Sequence, residues 1–125
     1  MAGRGEVESE LRMNSDAQPH LLFVCGRNQW RSPTAAHLYA NDPRIEVRSA
    51  GLAASSRHRI NKADVEWADL ILVMEPEQKK RIQKQFYGHP SIECMDIPDL
   101  YVYMDDTLVT LIQERVEDAL ERHFM

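Results

Sequence analysis

Cys25 and Arg31 stand six residues apart in the run Cys25-Gly26-Arg27-Asn28-Gln29-Trp30-Arg31-Ser32. A thiol can attack phosphorus, and a guanidinium can hold two oxygens of the phosphoryl group under attack. A tight loop running between them into a helix would turn several backbone N–H groups toward one point. The helix dipole adds positive potential at that point. A dianionic phosphate fits such a cradle above the sulfur. Residue types and spacing therefore point to cysteine-dependent phosphoryl transfer.

That chemistry needs a nucleophile, a charge-binding group and a proton donor. Cys25 is the nucleophile, since a thiol beside a helix N-terminus and an arginine ionises more readily than a free one. Arg31 binds the phosphoryl group through a planar fork that lysine lacks. The amides of Gly26, Arg27, Asn28, Gln29 and Trp30 complete the cradle and act most strongly as charge builds on the oxygens. Ser32 can hydrogen-bond the departing thiolate in the second step. The leaving oxygen needs a proton from a carboxyl on another loop, and Asp96 and Asp99 are both candidates. The same carboxylate would then activate the water that hydrolyses the thiophosphate. The scheme calls for no metal and no cofactor, and the five histidines show no metal-ligand spacing.

Several neighbours admit two readings. Trp30 either walls the pocket for an aromatic substrate or packs the loop against the body. Arg27 either extends the positive field toward a second phosphate or points into water. Tyr101 and Tyr103 either rim the pocket or are solvated. Cys94 reads as core rather than as a redox partner. Asp69 and Glu75 read as solvating the ends of a strand, and the Lys79–Lys84 cluster as a solvated helix face.

The elements that must position these groups are legible from hydrophobic pattern and punctuation. Leu21–Cys25 is an apolar run expected to be a buried strand. Ser32 is expected to cap a helix with Pro33 in its first turn, continuing to Ala40 and broken at Asn41-Asp42-Pro43. Ile45–Ser49 is a second strand, ending at Ala50-Gly51. A short helix runs from Asn61 or Lys62 to Trp67. Leu70–Met74 is the third strand. Pro76 opens a helix with Ile82 and Phe86 on one face, ended by Gly88-His89-Pro90. Ser91–Met95 is the fourth strand, and Asp96–Tyr101 a loop. The last helix runs from about Asp105 to His123, with Leu108, Ile112, Val116, Leu120 and Phe124 as its buried seam.

Alternating strands and helices predict a parallel sheet covered on both faces. The expected architecture is an α/β flavodoxin-like three-layer sandwich with a four-stranded parallel sheet in order 2-1-3-4. Its switch point lies between the C-terminal ends of strands 1 and 3, where such sheets bind ligands. The Cys25 loop leaves strand 1 there, and the Asp96–Asp99 loop leaves strand 4 along the same edge.

At 125 residues the chain has room for one domain, expected over residues 20–125, with residues 1–19 a disordered leader. No apolar run approaches the ~20 residues of a membrane span, and no signal-peptide core is visible. Two cysteines make no disulfide framework, so a reducing cytoplasm is the expected location. The net charge of −5 argues against a nucleic-acid partner but allows a small phosphorylated substrate, which senses only the local field. These features set no oligomeric state.

The loop resembles that of the low-molecular-weight protein tyrosine phosphatases. The family pattern is C-x5-R-[ST] with Asn at the fourth position and Ser-Pro after the arginine, matched here by Cys25, Asn28, Arg31, Ser32 and Pro33. The resemblance covers about residues 21–122. It implies that Asn28 holds the loop's strained backbone and that Ser49 helps anchor it. It also implies a general acid after Ile/Val-Pro, which favours Asp99 in Ile97-Pro98-Asp99-Leu100-Tyr101. Gly26-Arg27 replaces the family's apolar-Gly pair, Trp30 its second loop cysteine and Leu100 its proline. Those departures and the short C-terminal half are similar to a compact branch of predicted tyrosine phosphatases.

The resemblance implies a phosphomonoesterase acting through a phosphocysteine, on a phosphotyrosine protein or a small aryl phosphate. Two other functions use a similar loop. One is a phosphate-binding or phosphocysteine carrier module, which would need no acid. The other is arsenate reduction, which needs relay cysteines where only Cys94 is available.

Overall fold

The structure, a computed structural model, describes residues 18–125. The expected leader therefore lies outside the described residues as far as residue 17. Its last two residues, Gln18 and Pro19, are already tied to the domain. Gln18 Nε2 donates to the Pro43 carbonyl at 2.5 Å, and the Pro19 carbonyl accepts from Glu46 N at 2.9 Å.

Two runs without a polar residue, Leu21-Leu22-Phe23-Val24 and Leu70-Ile71-Leu72-Val73, are fully buried on both faces. Such runs suit the central strands of a parallel sheet, where helices cover each side. They fall in strands β1, His20–Cys25, and β3, Leu70–Val73. The edge strands β2, Glu46–Gly51, and β4, Ser91–Cys94, are more polar and partly exposed. All neighbours pair in parallel, in the order β2-β1-β3-β4.

Four helices cover the sheet: α1, Arg31–Tyr39; α2, Lys62–Trp67; α3, Pro76–Gln85; and α4, Asp106–Phe124. Alternation along β1 sends Leu21, Phe23 and Cys25 to one face, where they pack with Tyr39 of α1 and Leu108, Ile112 and Val116 of α4. Leu22 and Val24 face the other side, with Val65 of α2 and Ile82 of α3. The result is the three-layer flavodoxin-like sandwich expected from the pattern. Truncating Phe23, 0% exposed, to alanine would cost about 3–5 kcal/mol, a large share of a typical domain's stability.

Local chemistry sets the helix ends. Asn61 caps α2 by accepting from Asp64 N at 2.9 Å, and Asp64 Oδ2 accepts from Asn61 N at 3.2 Å. Asp105 caps α4 by accepting from Thr107 N and Leu108 N. The start of α1 departs from expectation. Its N-cap is Trp30, and Ser32 lies inside the first turn. The Ser32 side chain is drawn inward to the Cys25 sulfur instead of capping. The seam of α4 is also shorter than its periodicity suggests. Leu108 to Leu120 are buried, but Phe124 is 38% exposed in the last turn.

Candidate active site

The C-terminal ends of β1, β3 and β4 deliver three loops to one edge of the sheet. Cys25 is the last residue of β1, and residues 26–30 carry the chain to α1. Glu75 follows β3 and precedes α3. The loop after β4 is pinned to β3's end by Met95 N donating to Val73 O and Ile97 N to Met74 O, at 2.7 and 2.8 Å. That pinning fixes the Ile97 carbonyl and, two residues on, Asp99.

The loop after Cys25 is held from below and from one side. Asn28 is buried with φ +54°, a left-handed conformation that asparagine tolerates better than most residues. Its Oδ1 accepts from Ser32 Oγ at 3.0 Å. On the β2 side, the Gly26 carbonyl accepts from Leu52 N and Ala53 N at 3.0 and 2.8 Å. Gly51 backs directly onto the loop, where a Cβ would lie 2.7 Å from both Arg27 C and Asn28 N. The amides of residues 26–31 donate to no acceptor among the described residues. Unpaired amides beside a helix N-terminus are the donors an oxyanion requires.

The sulfur of Cys25 lies 3.0 Å from Ser32 Oγ. The hydroxyl has one proton and three acceptors in reach: Cys25 Sγ, Asn28 Oδ1 and, at 3.3 Å, the Ala50 carbonyl. It can therefore accept from a thiol or donate to a thiolate without moving.

Arg31 is buried, its side chain only 5% exposed. Its Nη1 donates to Glu75 Oε2 at 2.5 Å and to the Ile97 carbonyl at 2.8 Å. Its Nε lies 3.6 Å from Asp99 Oδ1. One end of the guanidinium is thus anchored, while the Nε–Nη2 edge makes no hydrogen bond among the described residues.

These groups open on one pocket of about 190 Å³. Cys25, Gly26, Arg27, Gln29, Trp30 and Arg31 form its floor and walls, and Asp99 joins them from the β4 loop. Of the two candidate acids, Asp99 lines the pocket. Asp96 does not, and it takes a left-handed backbone with φ +57°. Trp30 is 39% exposed and lines the pocket rather than burying itself against the body.

Asn28, Tyr101 and Ser49 are outside the pocket lining. The Asn28 side chain is turned to Ser32, beneath the loop. Tyr101 packs against the core on the α1/α4 face of the sheet. Ser49 makes no hydrogen bond to the loop among the described residues. Its neighbours in β2 do that work, Ala50 through its carbonyl and Gly51 by close approach.

No family model matches the sequence, and no curated protein matches it. Solved structures do match its shape. The YwlE arginine phosphatase from Geobacillus stearothermophilus aligns over 86% of this chain and 98% of its own, with 24% identity and a TM-score of 0.59. The tyrosine phosphatase Wzb from Escherichia coli, in complex with sulphate, aligns over 85% and 99%, with 19% identity and a TM-score of 0.65. Wzb from Vibrio vulnificus, in complex with benzylphosphonate, aligns over 85% and 99%, with 21% identity and a TM-score of 0.65. The chain has the fold of these phosphatases.

Within that phosphatase fold, two groups were missed in the sequence. The sequence pattern assigns Glu75 to a solvated strand end, yet it receives the shortest hydrogen bond of Arg31. The signal available was topological: a carboxylate just after β3 must stand beside whatever leaves β1. Thr34 is the other. Its hydroxyl donates to the Trp30 carbonyl at 2.6 Å and accepts from Met104 N at 2.9 Å, tying the two pocket loops together. Cys94 lies on the opposite face of the sheet from Cys25, packed with the α2/α3 core, and burial pushes its thiol up. The two cysteines cannot meet across β3 in the folded chain.

Proposed function

We propose that the protein is a phosphomonoesterase of the protein tyrosine phosphatase kind, acting through a phosphocysteine on Cys25. One observation carries this reading: the Cys25 sulfur, the Arg31 guanidinium and the Asp99 carboxyl open on a single pocket.

In the first step the Cys25 thiolate attacks phosphorus. The S–P bond forms, the bond to the ester oxygen breaks, and the Asp99 carboxyl gives its proton to that oxygen. Arg31 holds the transferring group by its Nε–Nη2 edge, and the loop amides take the charge that spreads onto the equatorial oxygens. In the second step the Asp99 carboxylate takes a proton from water, whose oxygen attacks phosphorus. The S–P bond breaks, leaving inorganic phosphate and a thiolate that receives the Ser32 hydrogen bond. Substrate is a phosphotyrosine protein or a small aryl phosphate, with Trp30 against the ring. The benzylphosphonate complex of a structural neighbour supports an aryl-sized ligand. The reducing conditions of the cytoplasm would preserve the thiol.

The competing readings lack support of this kind. A carrier has no use for Asp99 in the pocket. Arsenate reduction needs a relay thiol, and Cys94 lies across the sheet.

Phosphate release from p-nitrophenyl phosphate by wild type and Cys25→Ser tests the reading. Turnover by wild type only is expected, with a phosphoryl adduct on Cys25 in rapidly quenched samples. Equal turnover by both proteins would reject the mechanism.

A further inference from the structure

Arg27 is exposed, lines the pocket and forms no ion pair or hydrogen bond with a described residue. Arg31, the other cation of the pocket, is paired with the Glu75 carboxylate at 2.5 Å. Its charge is already matched before substrate arrives. Arg27 is therefore the unmatched cation of this pocket among the described residues, in a chain whose net charge is −5.

The two cations also sit on different walls. Arg31 and Asp99 belong to the β3 and β4 side, Arg31 through Glu75 after β3 and Ile97 after β4. Arg27 belongs to the β2 side, where Gly51 approaches its backbone and Leu52 and Ala53 bind Gly26. A leaving group protonated by Asp99 would share the pocket with Arg27, whose backbone is on the other side of it.

We infer that Arg27 is a specificity-determining residue that selects phosphomonoesters carrying a carboxylate on the leaving group. A phosphotyrosine beside an acidic residue, or an acidic aryl phosphate, is the chemistry it would take. Its fork can pair with a carboxylate in two parallel hydrogen bonds. This inference rests on the phosphatase reading above.

The experiment measures kcat/KM for meta-carboxyphenyl phosphate and meta-carboxamidophenyl phosphate, which differ in charge but little in size. The full chain is compared with Arg27→Gln and Arg27→Lys, at low and high salt. Wild type should prefer the carboxylate by about fivefold at low salt, the upper range for an exposed ion pair. The ratio should fall to about one in Arg27→Gln, stay partly raised in Arg27→Lys, and shrink in wild type as salt screens the pair. Because the readout is a ratio, a general loss of activity in a variant cancels. Hydrolysis of both esters with equal ratios in wild type and Arg27→Gln overturns the inference and leaves the phosphatase reading standing. A wild type that hydrolyses neither ester overturns both.

Discussion

Glu75 Oε2 and the Ile97 carbonyl hold Arg31 Nη1 between them, at 2.5 and 2.8 Å. Two acceptors on one nitrogen fix the plane of the guanidinium, and the plane fixes where Nε and Nη2 point. The Nε–Nη2 edge is left without hydrogen bonds among the described residues, and Arg31 lines the same pocket as Cys25. Glu75 thus positions Arg31 without lining the pocket itself.

Glu75→Ala should therefore lower kcat/KM for p-nitrophenyl phosphate, by up to about 100-fold if the guanidinium shifts by an ångström. Glu75→Gln keeps an acceptor oxygen and should lose less. Steady-state kinetics beside a circular-dichroism melt separates misplacement from unfolding. Wild-type kcat/KM in Glu75→Ala would refute the positioning role.

If Asp99 is the acid as proposed, Asp99→Asn should slow phosphoryl transfer by about 10²–10⁴-fold where the leaving oxygen is basic. The loss should be much smaller for p-nitrophenyl phosphate, whose leaving group departs without a proton. Comparing it with phenyl phosphate gives a ratio for each variant. Asp96→Asn should leave that ratio at the wild-type value, because Asp96 is outside the pocket. A matching change in both variants would remove Asp99 from the acid's role.

Away from the pocket, Arg44 bridges Asp42 and Glu117, and Tyr39 donates to Glu117 at 3.0 Å. Hydrogen bonds from Arg44 hold both carboxyls below their usual range. A carboxyl held low in the folded state stabilises at neutral pH and loses that contribution as pH falls through its folded value. Arg44 and Glu117 are both about half exposed, so the effect is about 1 kcal/mol or less. Glu117→Gln should lower the urea midpoint at pH 7, and the deficit should fade below the ordinary glutamate value of 4.5. A deficit that persists in acid would place its origin in packing rather than charge.

The sheet was readable because β1 and β3 are uniformly apolar and separated by helix-forming segments, which leaves few alternatives to a central parallel pair. Strand order then brought Cys25, Arg31 and the Asp99 loop to one edge. Other features depended on competition that a linear pattern does not display. Ser32 has the type and place of an N-cap, but the Cys25 sulfur, Asn28 and the Ala50 carbonyl compete for its hydroxyl inside the domain. Glu75 resembles any carboxylate at a strand end until the buried cation across the loop is known. Tyr101 lies two residues from Asp99, yet its ring takes the core side of the loop, and adjacency in sequence carries no information about that choice.

Gly51 offers the sharpest test of how the loop is supported, because its contact is with backbone. A Cβ there would lie 2.7 Å from Arg27 C and Asn28 N, and 2.2 Å from Ser56 Oγ. The serine side chain can rotate away, but the loop backbone must shift. The shift would fall on the loop residues whose amides are unpaired among the described residues, and on Asn28, whose left-handed conformation leaves little freedom. Gly51→Ala should therefore cost about 1–3 kcal/mol of stability, as overpacking does, and should depress kcat/KM by a larger factor than the population of unfolded protein explains. Chemical denaturation and kinetics on the same samples measure both. Stability lost with kcat/KM per folded molecule intact would mean that the loop relaxes without moving its amides, and the support assigned to Gly51 would then be purely structural.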